Sequence, residues 1–177
     1  MSAVPCPRCG RPVRRTRTRA GGVVEIRCPR CRYLMFDYPR PCAGMVVLKR
    51  GHVLLLRRGH RPRRGSLDLP GGFVEPDEAI EAAARRELRE ETGLEVGRAR
   101  SLGVHWDRYH LRGFGDFPTM NFYFLARWRS GEPRPADDAA GAMWTPLGAL
   151  GRLRPRFAWA HMSRVLSDAR RLARARA

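Results

Sequence analysis

The chain has 177 residues, 35 basic against 17 acidic side chains and a formal net charge of +18, and Lys49 is its one lysine. A hydrophobic fraction of 43% excludes disorder throughout. No stretch approaches the ~20 apolar residues of a membrane span, and residues 1–10 lack the apolar core of a signal segment, so the expectation is a cytoplasmic protein without a membrane partner.

The charge is unevenly spread. Residues 1–40 carry ten arginines against Glu25 and Asp37, residues 41–151 are nearly balanced, and residues 152–177 carry eight arginines against Asp168. Basic ends favour phosphate-rich partners, small or polymeric, although arginine-rich composition serves solubility equally well.

Taken in chain order, the first signal is Cys6-Pro7-Arg8-Cys9 and Cys28-Pro29-Arg30-Cys31, two CxxC pairs with 18 residues between them. That is the spacing of a four-cysteine zinc ribbon, in which two tight knuckles offer four thiolates to one tetrahedral ion. Two disulfides or a redox pair are the alternatives, and neither suits a duplicated CxxC in a reducing compartment. Gly10 follows the first knuckle, Gly21-Gly22 reads as a turn, and residues 23–27 read as a short strand. So short a module buries little core, and a structural zinc would supply what is missing. Cys42 reads as a small buried strand residue.

Pro39-Arg40-Pro41 marks the seam between module 1–38 and domain 39–177. Residues 43–48 and 53–56 read as a hairpin turning at Arg50-Gly51, followed by a basic loop over 57–64. A helix is expected from about Asp77 to Thr92, closed by Gly93. Residues 96–104 and 121–128 read as strands joined by a Gly- and aromatic-rich loop, 136–141 as a loop, 142–145 as a short strand and 157–173 as a basic helix. Strands, helix, strands, helix describe a mixed α/β domain with helices on a sheet.

The helix over 77–92 carries the chemistry. At 100° per residue from Ile80, Glu87 and Glu91 fall at about −20° and +20°, inside the apolar face, and Glu90 borders it at about −80°. Buried like charges are costly unless a cation neutralises them, and a divalent oxygen-seeking ion, magnesium or manganese, does so. Arg86 lies where it can orient one of these carboxylates.

Gly72, five residues, Glu78, seven residues, Arg86-Glu87-Leu88, one residue, Glu90-Glu91, one residue and Gly93-Leu94 resemble the Nudix box at every defined position. The resemblance implies an α/β/α sandwich with a mixed sheet, and the cysteine module is similar to the zinc ribbon of the NADH pyrophosphatase-like branch. It further implies magnesium-dependent hydrolysis of a nucleoside diphosphate linked to another group. Carried over by position, Glu90 and Glu91 would be metal ligands, with the Gly72 carbonyl as a further ligand. Glu87 would be a metal-site or proton-accepting carboxylate, Arg86 its orienting partner and Glu78 a residue of the helix start. A further acid from a later loop falls to Asp138 or Asp137.

Where NADH pyrophosphatases carry Ser-Gln-Pro-Trp-Pro-Phe-Pro, this chain has residues 104–110 and then Phe117-Pro118, a departure from that signature. Arg57 and Arg63 are candidates for the substrate's phosphates, and Trp106, Tyr109 and Phe117 for its base, with solvated loop and packing as the plain alternatives. Candidate substrates are ADP-ribose, NAD(H), dinucleoside polyphosphates and nucleoside triphosphates. The alternatives are an RNA end, gripped by the basic termini, and a non-catalytic binding module. The ribbon could also serve a homodimer contact.

Overall fold

A computed structural model describes residues 4–13, 16–17, 24–36, 38–111 and 115–174. The chain forms two units, Met1–Arg40 with Arg108–Thr119, and Pro41–Asp107 with Met120–Ala177.

In the first unit, β1 (Val4–Pro5) pairs antiparallel with β2 (Pro12–Val13), while β3 (Thr16–Arg17), β4 (Val24–Arg27) and β5 (Leu34–Phe36) form a three-stranded antiparallel sheet. The two knuckles have the same build. Gly10 N–H donates to the Cys6 carbonyl at 2.8 Å, and Arg32 N–H donates to the Cys28 carbonyl at 2.9 Å. Both donors have positive φ, 70° and 59°, so the turn that uses glycine in the first knuckle is held by an arginine in the second. Val13 and Ile26 pack with the buried Cys6 and Cys28 into a minimal core. The expected turn at Gly21-Gly22 lies outside the described residues.

The second unit is built on an eight-stranded sheet. Its spine runs β10 (Glu95–Val96), β12 (Gly115–Ser130), β6 (Arg40–Lys49), β7 (His52–Arg58), β13 (Ala139–Pro146). Off this path β11 (Arg100–Leu111) pairs with β12, β8 (Leu67–Asp68) with β7 and β9 (Gly71–Phe73) with β6. The sheet is mixed. Alternation along the strands explains the layering. Met45 and Val47 of β6 and Leu54 and Leu56 of β7 point to one face, against Ala83, Ala84 and Leu88 of α1 (Ile80–Thr92). Val46, Val53 and Leu55 point to the other, against Met162, Val165, Leu166 and Ala169 of α3 (Met162–Arg174). Near-continuous apolar runs are what a sheet covered on both faces requires. The result is an α/β/α sandwich, with a short α2 (Leu150–Leu153) between β13 and α3. No helix among the described residues is long and apolar enough to cross a membrane.

Several boundaries differ from those expected. The first helix starts at Ile80, because Pro76 and Asp77, the latter at φ 62°, close a separate turn in which the Glu78 carboxylate accepts the Glu75 N–H at 3.2 Å. Within the span that reads as a loop between the two expected strands, residues 105–111 and 115–120 are strand, since β11 and β12 are 12 and 16 residues long. The second helix starts at Met162, because Phe157 bridges Leu67 in parallel and Ala158 N–H donates to the Leu67 carbonyl at 2.7 Å. α3 is anchored by polar contacts as well: His161 bonds the Tyr123 hydroxyl through Nε2 at 3.0 Å and Asp107 through Nδ1 at 2.6 Å.

Gly44 lies where the Tyr123 ring crosses β6, and a Cβ there would meet ring carbons at 2.6 and 2.9 Å. Tyr123 is buried and tied to His161, so the ring has little room to yield. Gly44→Ala is therefore expected to destabilise the protein by about 1–3 kcal/mol, read from the urea midpoint.

Candidate active site

Strand β9 lies antiparallel to β6 with Gly72 opposite Ala43 and Gly71 opposite Gly44. A side chain at either position would force a neighbour to move. A Cβ on Gly71 would lie 2.5 Å from the Ala43 carbonyl oxygen, and one on Gly72 would lie 2.5–2.7 Å from the Glu87 carboxylate. The missing side chain of Gly71 lets β9 lie close against β6, and that of Gly72 lets Glu87 of α1 reach the backbone of β9. Glu91 completes that docking by accepting the Gly71 N–H at 2.9 Å.

Arg86 organises the neighbouring acids. Its guanidinium donates to both Glu78 oxygens at 3.0 Å, to Glu87 at 2.8 Å, to Glu90 at 2.9 Å and to the Phe73 carbonyl at 3.0 Å. Glu78 thus precedes the helix, and its role is a bidentate grip on Arg86. The contact holds the Glu78 carboxyl below its ordinary range.

The remaining acids are left under strain of charge. Glu91 is 7% exposed, and burial pushes its pKa up to about 8 against the Gly71 N–H, with Glu87, Asp68 and Asp138 adding repulsion. Burial also raises Glu87, against Arg86 and assisted by Glu90 and Asp137. Glu90 is exposed. The loop bearing Asp137 and Asp138 is fixed beside α1, with Arg134 N–H on the Thr92 carbonyl at 2.8 Å and Ala136 N–H on the Glu91 carbonyl at 3.0 Å. Both aspartates are exposed, Asp137 at φ 53°. An excess of carboxylate over cation, converging on a glycine backbone, is a donor set suited to a hard divalent ion. As they stand, these oxygens are shared between Arg86 and the Gly71 N–H.

The cysteines are drawn together more tightly. The sulfurs of Cys6, Cys9, Cys28 and Cys31 all lie within 4.8 Å of one another, with Cys6–Cys31 and Cys9–Cys28 at 3.6 Å. A disulfide needs about 2.0 Å, whereas thiolates about 2.3 Å from a tetrahedral zinc lie about 3.8 Å apart. The Cys31 backbone N–H holds the Cys28 thiol down to about 6, while against the Tyr33 N–H, burial and the neighbouring sulfurs push Cys31 up to about 11, as sulfurs crowded together without a cation between them require. Cys42 sits half-buried in β6 opposite Phe73.

The other predicted residues scatter. Arg57 is exposed on β7 opposite Leu67, and Arg63 lies over the Trp159 ring at 5.3 Å. Trp106 is 65% exposed. Tyr109 and Phe117 belong to the first unit, where their rings stack at 5.7 Å and Arg40 covers Phe117 at 4.0 Å. His105 is buried, and His110 pairs with Asp116 at 2.8 Å. Phe114 lies outside the described residues. Sequence reasoning missed Asp68, a buried acid held by Arg58 at 2.8 Å, Trp159 Nε1 at 2.9 Å and the Leu69 N–H at 2.9 Å. It ties the run before Pro70 to the segment leading into α3. The one signal available was an acid set between Leu67 and Leu69.

A sandwich of this order with this helix and glycine strand defines a class. The NUDIX domain model matches residues 38–168, and the chain belongs to the NUDIX family. It is 35% identical over 161 residues to the NAD-capped RNA hydrolase NudC of Vibrio vulnificus, covering 83% of this chain and 56% of that protein. It is 33% identical over 140 residues to the ADP-ribose pyrophosphatase of Methanocaldococcus jannaschii, covering 77% of this chain and 76% of that one. Among solved structures, the MutT NUDIX hydrolase of Burkholderia pseudomallei superposes with a TM-score of 0.57 at 32% identity, covering 63% of this chain and 86% of the other. The chain thus spans little more than half the length of the Vibrio relative.

Two substitutions test the two candidate metal centres. Gly72→Ala should displace the Glu87 carboxylate and weaken Mn2+ binding about 10–100-fold by calorimetry, whereas Gly97→Ala, whose Cβ meets nothing within 4 Å, should not. The purified protein should carry one zinc per chain by elemental analysis, and Cys9→Ser should lose it.

Proposed function

We propose that this chain is a divalent-metal-dependent pyrophosphohydrolase that cleaves the pyrophosphate bond of a nucleoside diphosphate linked to a second group. The observation that carries this reading is Glu91, a buried carboxylate beside Glu87 whose hydrogen-bond partner among the described residues is the Gly71 N–H, where a cation would balance its charge. Glu87, Glu90, Glu91 and the Gly72 carbonyl would hold magnesium or manganese, and Cys6, Cys9, Cys28 and Cys31 a structural zinc with no catalytic position left open. Bound at the glutamates, the divalent ion supplies polarisation of the phosphoryl oxygens and a more acidic water.

The chain's own groups supply positioning and proton transfer. Arg86 fixes Glu87 and Glu90 from one guanidinium, and the Gly71 N–H fixes Glu91, so the carboxylates need not reorganise during reaction. Glu87, half-buried and raised by that burial, suits acceptance of the proton from attacking water, and Asp138 on the adjoining loop is the second candidate. Arg57 and Arg63 offer guanidinium groups for the substrate's phosphates. Exposed Trp106 offers a free ring for base stacking, while Phe117 has its face covered by Arg40.

Similarity to an NAD-capped RNA hydrolase and to an ADP-ribose pyrophosphatase favours an ADP-ribose-containing substrate, either the free nucleotide or an NAD cap on RNA. A cytoplasmic setting accords with this, because it keeps the four thiols reduced for zinc.

The test is hydrolysis with Mg2+ across ADP-ribose, NAD, NADH, a dinucleoside polyphosphate, nucleoside triphosphates and NAD-capped RNA. Turnover of at least one compound, reduced about 100-fold or more in Glu91→Gln, is expected. Silence across the panel, or an unaffected Glu91→Gln protein, contradicts the reading. Preference for the capped RNA with a steep fall in binding at high salt selects the RNA-end alternative over the small nucleotide.

A further inference from the structure

At the end of β6 far from Gly44, the sheet and α3 enclose a second concavity of about 910 Å³. Arg50 lies six positions along the chain from Gly44, just past the end of β6, so the concavity lies about 20 Å from the glycine strand of the active site. Arg50, Arg98, Arg100, Arg127, Arg170 and Arg174 line it, and no acidic residue does. None of the six makes an ion pair with a described carboxylate. The arginines of this unit that do have such partners, Arg58, Arg85, Arg86, Arg89 and Arg171, all lie outside the groove. The floor is apolar, made of Leu48, Leu125, Leu147 and Leu172.

We infer that this groove binds a single-stranded RNA segment, its arginines taking the phosphodiester backbone and its leucine floor the bases. Three observations converge. The rim is of one sign and uncompensated, as a polyanion site requires and a solvated salt-bridged surface does not. The cations are guanidiniums, which pair with phosphate bidentately and stack on base planes. The cleft has a volume on the scale of a few nucleotides, with an apolar floor that a free inorganic anion would not use. Binding here needs none of the glutamates, so the inference stands or falls apart from the catalytic reading.

The test is fluorescence anisotropy in buffer without added divalent cation, with a 12-nucleotide single-stranded RNA whose 5′-hydroxyl end carries no pyrophosphate for the hydrolytic site to cleave. The protein is compared with Arg98→Gln/Arg127→Gln/Arg174→Gln and with a control of equal charge change outside the groove, Arg129→Gln/Arg152→Gln/Arg156→Gln. We expect saturable binding that the groove variant weakens about tenfold or more, with the slope of log affinity against log salt falling by about 2, three phosphate contacts at about 0.7 each. The control variant should change affinity less than twofold. Equal weakening by both variants, or no binding by the unaltered protein, overturns the inference. So does equal capture of phosphatidylserine vesicles or polyglutamate, lost in the same groove variant.

Discussion

The second unit is arranged around the docking of an acidic helix face onto a strand that has glycine, Gly72, at the point of contact. Glu87 reaches the backbone of β9 because Gly72 leaves space, Glu91 accepts the Gly71 N–H, and among the described residues that N–H and Arg86 are what is offered against their charge. Burying carboxylates side by side is opposed by desolvation and by mutual repulsion, and both effects raise Glu91. A protein kept only for its stability would replace such groups with apolar ones. With Arg86 answering one part and no described cation answering Glu91, holding a divalent cation is the role proposed for these groups.

Everything else in that unit serves the placement. β6 is the central element: its glycine end carries the partner strand of Gly71-Gly72, and its alternating side chains feed both cores. α1 is seated by Ala83, Ala84 and Leu88, small and close-packed, which brings its backbone near the sheet. The loop over 134–138 is hung from the carbonyls of Glu91 and Thr92, so its two aspartates move with the helix. On the opposite face α3 is fixed through Asp68, Trp159 and the Asp107–His161–Tyr123 chain, and its basic end is left to form the rim of the groove. In the first unit the four cysteines take the place of a core that Val13 and Ile26 alone could not supply.

Legibility in the sequence followed the physics of each element. The helix at 80–92 could be read because its apolar and acidic residues share one period, and the two knuckles because cysteine spacing is a direct geometric statement. The hairpin of β6 and β7 was plain from two apolar runs about Arg50-Gly51. The later part of β11, residues 105–111, reads as loop because it is mostly exposed, so no alternation of apolar side chains marks it. Trp159 and Asp68 stand 91 residues apart, a long-range hydrogen bond that local pattern cannot announce. Arg86 could be placed near the carboxylates by its helical angle, but its grip on Glu78 depends on the turn at Pro76-Asp77, which the helical period conceals.

The central claim is that the carboxylates on α1 are gathered for a divalent cation. Titration of the purified protein with Mn2+, followed by the loss of the free-ion electron paramagnetic resonance signal, measures it without a substrate. The account predicts saturable binding at the glutamate site, displaced by Mg2+ and lost or greatly weakened in Glu91→Gln, with the zinc content unchanged. Binding that is absent, or identical in Glu91→Gln, would contradict it.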